Sequence, residues 1–370
     1  MNQQGKIGVA IVGTGFGQKI HLPAFQIHPE TEVVAIYHRN LDQAKAIASE
    51  HNIPLASDNL TEICSCELVD VVSISTPPFL HYNMAKLALE NNQHILVEKP
   101  LNLDAYQTRE LYRLAQQKGL IAMADFEFRF VPAWQLLAEY LQQDYVGNIR
   151  LIKIDWLVTS RANPDRPWNW YSLEEQGGGA LGAIGSHVFD YISWLFGEID
   201  SLSGYLGCAI TERPDPLDNN QLKPVTADDT SLIMMELSNG TPVQVNLSSV
   251  TYQGRGHWVE IYGEKGTLVL GSDNLTDYVH GFKLYGSDGN NPLQEIPIPS
   301  RLDFPQVYPD GRLAPVIRVV DQLVQNIRKQ ENTAPSLKEG IYSQLLMDLT
   351  HQSHRQKQWL KVPKLADFLS

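Results

Sequence analysis

Two side chains combine proton-moving chemistry with a local setting that would hold them still. Lys99 stands in Glu98-Lys99-Pro100, directly after the apolar run 94–97. An amine held between an acid and a proline at a strand tip is partly desolvated, so it can position a hydroxyl or relay a proton. His187 stands in GGGALGAIGSHVFD, residues 177–190, where three glycines open a helical stretch that runs through Phe196. On that helix His187 shares a face with Ala183 and Tyr191. An imidazole exchanges protons near neutral pH, but a helical histidine also serves as a satisfied structural residue, and the local sequence leaves both roles open. A third stretch, RANPDRPWNWY at 161–171, gathers Arg161, Arg166, Trp168, Trp170 and Tyr171. Aromatic faces stack on sugar C–H faces and guanidiniums bind hydroxyls and anions, while the same residues also describe a loop pinned by tryptophans. Glu127 and Arg129 either wall a pocket or form an internal ion pair.

These groups need a scaffold, and its clearest mark is the opening KIGVAIVGTGFGQKIHLPAF, residues 6–25. An apolar, β-branched run is followed at once by glycines and then by a helix-compatible segment. A helix N-terminus carries unpaired N–H groups and partial positive charge, so a pyrophosphate sits there if no side chain blocks the backbone. Gly13 allows the tight turn and Gly15 the close approach, which makes Gly13, Thr14, Gly15, Phe16 and Gly17 the expected cofactor contacts. The match to G-x-G-x-x-G is imperfect: Gln18 holds the third glycine place and Gly17 comes one residue early.

Strand-like runs recur at 31–37, 69–75, 94–97 and 120–124, with helical segments at 41–51, 80–90 and 104–118 between them. Such alternation predicts an α/β domain with a doubly wound parallel sheet and right-handed crossovers over residues 1–125. Ligands of these sheets collect at the carboxyl ends of strands, so Ser75, Thr76 and Pro77 are further candidate contacts, with His81 facing either the cofactor or solvent. At the end of the second strand an acid would bond the adenosine ribose and select NAD. The positions hold Tyr37, His38 and Arg39 instead. A guanidinium suits a 2′-phosphate, which favours NADP over NAD, although Arg39 also reads as a solvated surface residue.

After Asp125 the alternation stops. A helix is expected at 132–142, then strands near 148–158, 201–210, 230–237, 242–249, 258–261, 267–270 and 281–285, with helices at 315–329 and 338–356. Residues 126–370 thus read as an α+β domain around a large, mainly antiparallel open sheet. Pro214, Pro216, Asn219 and Asn220 mark an exposed loop. No repeat, coiled coil or low-complexity segment is visible.

The 370 residues carry a formal charge of −13, which opposes nucleic-acid and anionic-membrane binding. No stretch approaches the roughly 20 apolar residues of a membrane helix, and the first apolar run belongs to the first strand rather than to a signal peptide. Three cysteines, Cys64, Cys66 and Cys208, suit a reducing compartment and do not make a four-ligand zinc site, so a cytoplasmic protein without a metal is expected.

Four motifs in order, GTGFGQKIHLPAF, STPPFLH, VEKPL and GGGALGAIGSH, resemble the Gfo/Idh/MocA family of glucose–fructose oxidoreductase and inositol dehydrogenase type. YSLEEQGGG and TADDTS are similar to the glucose–fructose oxidoreductase domain-containing subgroup. The resemblance covers nearly the whole chain. It implies an NAD(P)-binding Rossmann domain, and a second domain whose open sheet forms the contact of a homodimer or homotetramer. It implies that Lys99 orients the substrate beside the nicotinamide and that His187 is the acid/base. It also implies a hydride passed between the cofactor and a sugar, polyol or related carbonyl compound. Glu98 and Lys99 then join the cofactor contacts, and Lys99, Glu127, Arg129, Arg161, Trp168, Trp170 and His187 the substrate contacts. The family usually places Asp four residues before this histidine, where this chain has Ala183. Either His187 and Lys99 suffice, or Asp165 or Glu127 substitutes, or the protein is a non-catalytic cofactor-binding sensor. A lyase or hydrolase whose bound cofactor redox-cycles internally is a further option.

Overall fold

The computed structural model describes residues 5–274 and 278–370. The chain divides into two compact units, Met1–Glu127 with Arg312–Gln344, and Phe128–Gly311 with Leu345–Ser370. From sequence alone the first domain ends at Asp125 and everything later belongs to the second. In the structure the helix Leu313–Lys329 and the start of the helix Leu337–Gln356 return to the first unit.

The first unit is a six-stranded parallel sheet of β1 (Ile7–Val12), β2 (Thr31–Tyr37), β3 (Leu55–Ser57), β4 (Val71–Ile74), β5 (His94–Val97) and β6 (Ala122–Ala124). Its order is β3-β2-β1-β4-β5-β6, every pair parallel. β1, β4 and β6 are buried throughout, as expected of strands covered on both faces. Capping sets the helix starts: Asn40 accepts from Gln43 N–H at 3.1 Å and Asp104 from Gln107 N–H at 2.8 Å. Gly119 closes the helix Ala105–Lys118 in the left-handed conformation. Pro77 and Pro78 start a helix rather than delay it. Pro77 is extended, Pro78 opens Pro78–Glu90, and a proline lacks only an N–H that the first turn leaves unpaired anyway. β3 and the short helix Leu60–Cys64 were not anticipated.

The second unit carries β7 (Ile149–Leu157), β8 (Ile199–Gly207), β9 (Glu212–Asp215), β10 (Gln221–Pro224), β11 (Thr230–Leu237) and β12 (Pro242–Ser248). β13 (Gly256–Gly263), β14 (Thr267–Ser272), β15 (Lys283–Ser287), β16 (Gln294–Ile296) and β17 (Leu360–Lys361) complete it. Nine of these form one sheet, β16-β15-β14-β13-β7-β12-β11-β8-β17, antiparallel except where β12 runs parallel to β7. Side chains alternate across it. Ile152, Ile154, Val245, Ile233 and Ile261 are buried on one face, while Leu151, Tyr205, Leu232, Met234 and Tyr262 are exposed on the other. The loop expected around Pro214 is the hairpin β9–β10, with Asn219 and Asn220 at positive φ in its turn. Prolines are tolerated there because the ribbon has only two strands, both of them edges.

Candidate functional site

In the first unit the carboxyl ends of β1 and β4 adjoin where the sheet order reverses, the crevice in which open α/β sheets receive ligands. Gly13 has φ +108°, and a Cβ there would fall 2.8 Å from the Ser75 backbone. Gly17 is required by contact instead: its Cβ would lie 2.2 Å from Ser75 Oγ. A Cβ on exposed Gly15 would meet nothing within 4 Å, so bare backbone faces open space there. A π-helical turn, Gly17–His21, continues directly into the α-helix Leu22–Ile27, and no acid occupies its first turn. That combination fits an anionic diphosphate. Thr14 and Phe16 on the turn are half-buried. Arg39, at the end of β2, is exposed and pairs with no acid among the described residues; beside it the Asn40 N–H donates to His38 Nδ1 at 3.0 Å.

Ser75, Thr76 and Pro77 line the end of β4, each half-buried. His81 lies beneath them, 1% exposed, with Nε2 2.6 Å from the Thr76 carbonyl and Nδ1 3.1 and 3.2 Å from those of Pro100 and Leu101. Burial lowers its pKa against the pull of these carbonyls. The buried ring braces two loops, the one after β4 and the one after β5.

Glu98 and Lys99 follow β5 and are half-buried. The Lys99 backbone N–H donates to Glu98 Oε2 at 3.2 Å. Glu98 Oε1 lies 3.0 Å from Nε2 of His21, and Asp125 Oδ2 lies 3.1 Å from the same nitrogen. His21 Nδ1 meets Ser73 Oγ at 2.7 Å. Burial opposes charge on this imidazole, but the two carboxyl groups outweigh it and raise the pKa to about 9. Burial likewise opposes the Glu98 carboxylate, and His21 overrides it, so the Glu98 pKa is lowered. Asp125 is pushed up to about 6, and Glu127, 5% exposed, to about 8, in each case chiefly by burial and then by a neighbouring acid. His21, Glu98 and Asp125 offer ligand atoms within 4.8 Å of one another. A metal there would have to displace the proton that the raised His21 pKa keeps on the ring. Sequence reasoning missed His21 and Asp125, although His21 lay in plain view in GQKIHLPAF.

In the second unit His187 sits at the start of the helix Ser186–Phe196, behind a π-helical turn, Leu181–Gly185. It is 3% exposed, edge-on to Phe128 at 4.8 Å and tilted against Trp156 at 6.0 Å. Ala183, four residues earlier, is half-buried. Asp228 anchors the start of this stretch, taking the Leu181 N–H at 2.9 Å and the Ser231 hydroxyl at 2.7 Å on Oδ2. The glycine run serves that anchor, because a Cβ on Gly179 would lie 2.2 Å from Asp228 Oδ1. Arg129 forms an ion pair with Asp190, a partner the sequence does not point to: its guanidinium grips the carboxylate through Nε at 2.9 Å and Nη2 at 2.6 Å. Behind His187 stands a second, unforeseen histidine. His257 stacks on Trp156 at 3.8 Å, faces the Tyr191 hydroxyl at 3.1 Å, and is pulled down to about 3 by burial.

In the stretch 161–171, Arg161 stacks on Tyr171 at 3.6 Å. Arg213 fixes the backbone beneath it, donating to the carbonyls of Arg161 and Asn163 at 2.7 and 2.8 Å. Trp168 donates from Nε1 to the Pro224 carbonyl at 2.9 Å, under Lys223. Trp170 is half-buried beside Tyr171, and Asp165 is exposed. Trp168 and Trp170 are half-buried rather than buried, so the loop is held by the Trp168 and Arg213 hydrogen bonds, and Arg161 and Trp170 each keep some exposure to solvent.

Comparison with known proteins agrees with this architecture. A family model described as an oxidoreductase family NAD-binding Rossmann fold matches residues 7–126, and one for the family's C-terminal alpha/beta domain matches residues 138–362. An uncharacterized oxidoreductase of Synechocystis sp. is 55% identical over the full length of both chains. The levoglucosan dehydrogenase of Pseudarthrobacter phenanthrenivorans is 25% identical over 97% of this chain and 99% of that protein. A solved structure of levoglucosan dehydrogenase in complex with NADH and L-sorbose superposes with a TM-score of 0.87 at 23% identity, over 98% of this chain and 100% of the other. Two family models spanning an NAD-binding Rossmann domain and its C-terminal partner, in the order the motifs predicted, place the chain in the Gfo/Idh/MocA oxidoreductase family.

Proposed function

We propose that this protein is an NADP- or NAD-dependent oxidoreductase that moves a hydride between its cofactor and a CH–OH group of a sugar, polyol or related compound. One observation carries the reading: an open, bare-backboned glycine turn stands at the switch point of a parallel sheet whose next strand end bears Lys99. The likeness to a levoglucosan dehydrogenase supports the sugar class. Arg39, exposed and paired with no acid among the described residues, and the lack of an acid at that strand end support NADP as the preferred cofactor.

The cofactor, when bound, supplies the hydride chemistry. The chain supplies the rest. Gly13 to Gly17 hold the diphosphate, with Ser75, Thr76 and Pro77 beside them. Lys99 orients the substrate oxygen and His187 exchanges its proton. Glu127, protonated at neutral pH, is a proton reserve in the same unit as Lys99. Arg161 and Trp170 hold the rest of the sugar. Replacing Lys99 or His187 by Ala should lower kcat by about 10²–10⁴ while leaving dinucleotide binding intact.

Ala183 favours a second reading, a cofactor-dependent binding protein without turnover. That reading predicts no reduced-nicotinamide signal from any sugar and no kinetic effect of Lys99→Ala. A kcat loss in that variant excludes it.

A further inference from the structure

We propose that His21 is a positioning residue, a buried clamp that ties the glycine turn to the segment bearing Lys99. This rests on the role proposed for Lys99, but the geometry stands alone. His21 is fully buried and closes the π-helical turn that begins at Gly17. From there its ring reaches three strand ends: Ser73 on β4 through Nδ1 at 2.7 Å, Glu98 after β5 through Nε2 at 3.0 Å, and Asp125 after β6 at 3.1 Å. Phe16 of the turn packs edge-on against the same ring, centroids 5.4 Å apart.

The clamp's hold on Lys99 is short and specific. Glu98 has two carboxylate oxygens; one takes the His21 contact and the other takes the Lys99 backbone N–H. Fixing Glu98 therefore fixes the peptide from which the Lys99 side chain springs. A neutral ring has one N–H to share between Ser73 and the carboxyl groups, whereas an imidazolium donates on both sides. Charge-assisted bonds of this kind are short and directional. Removing the ring would leave Glu98 and Asp125 buried side by side with no cation between them, and like charges at that distance repel or take up a proton. The Lys99 backbone N–H would then lose a fixed Glu98 oxygen to donate to.

The test reads Lys99 without substrate or turnover, so its failure is distinct from failure of the oxidoreductase reading. The lysines of the full-length protein are reductively methylated with ¹³C-formaldehyde, and the Lys99 signal is assigned by its absence in Lys99→Arg. In His21→Asn the Lys99 signal should shift and broaden while the other lysine signals stay in place. If His21→Asn does not fold, Glu98→Gln removes the same link from its other end and should give the same Lys99 shift. An unmoved Lys99 signal in the folded variant overturns the proposal, as does a uniform change across all lysines.

Discussion

The protons on a few buried side chains govern how the stability of the fold changes with pH. His21 holds its proton up to about pH 9 in the folded chain, against an ordinary value of 6.5. Its raised pKa contributes stability that is fully present below about pH 6.5 and lost as pH rises through about 9. Glu127 works in the same direction: its folded pKa of about 8 lies above the ordinary carboxyl value, so the folded state binds the extra proton and loses stability as pH climbs from about 4.5 to 8. Thermal melts should therefore show a falling midpoint between pH 6 and 9. Glu127→Gln, which mimics the protonated acid, should flatten the part of that fall below pH 8; a slope unchanged from the parent protein would contradict the assignment. Arg39 makes a different prediction. Arg39→Asp should weaken NADPH binding at least tenfold and strengthen NADH binding, because an acid repels the 2′-phosphate and accepts from a free ribose hydroxyl. Lys99, the glycine turn and His187 stand out as candidates from type and spacing. His21 and Asp125 do not, because a histidine inside an apolar helix start and an aspartate after a strand gain meaning only when three strand ends converge.

At the element scale, contact distances decide what a substitution does. Gly17→Val would drive a side chain into Ser75 Oγ, displacing the turn from β4. Dinucleotide affinity should fall sharply while far-ultraviolet circular dichroism stays native. Asp228→Ala removes the acceptor for the Leu181 N–H and the Ser231 hydroxyl, leaving both unpaired in a buried site. A cost of about 1–3 kcal/mol is expected in urea denaturation, with Asp228→Asn milder because its amide oxygen still accepts. The parallel sheet was legible because its strands are short, apolar and separated by capped helices; β2 and β5 match their expected bounds. β3 escaped notice because three residues, two of them only half-buried, leave no pattern. The hairpin β9–β10 escaped because prolines read as loop, and only its two-stranded isolation makes them permissible. Nothing local to Arg312–Gln344 announced a return to the first unit, since an amphipathic helix does not name its partner.

At the scale of the whole molecule, the nine-stranded sheet has one face packed into the core and one that offers Leu151, Tyr205, Leu232, Met234 and Tyr262 between the ion pairs of Lys153 with Asp155 and Arg255 with Glu260. The homodimer or homotetramer implied by the family resemblance would form through this face. Sedimentation should report more than a monomer, and the double substitution Leu232→Glu, Met234→Lys should dissociate it; a parent protein that sediments as a monomer would remove this part of the account. His257 makes the second unit less stable in acid. Its pKa, depressed to about 3 by burial, means that stability is lost as pH falls below about 6.5 towards 3, where the unfolded ring takes a proton that the folded ring refuses. The first unit's glycine turn and Lys99 are proposed to act together in redox turnover. This is tested most directly by following reduced-nicotinamide absorbance with NADP and NAD across a panel of sugars and polyols, for the parent protein and for Lys99→Ala. The expected result is a signal that requires both cofactor and sugar and that is lost in the variant. Tight cofactor binding with no turnover on any sugar, and no difference between the two proteins, would contradict it.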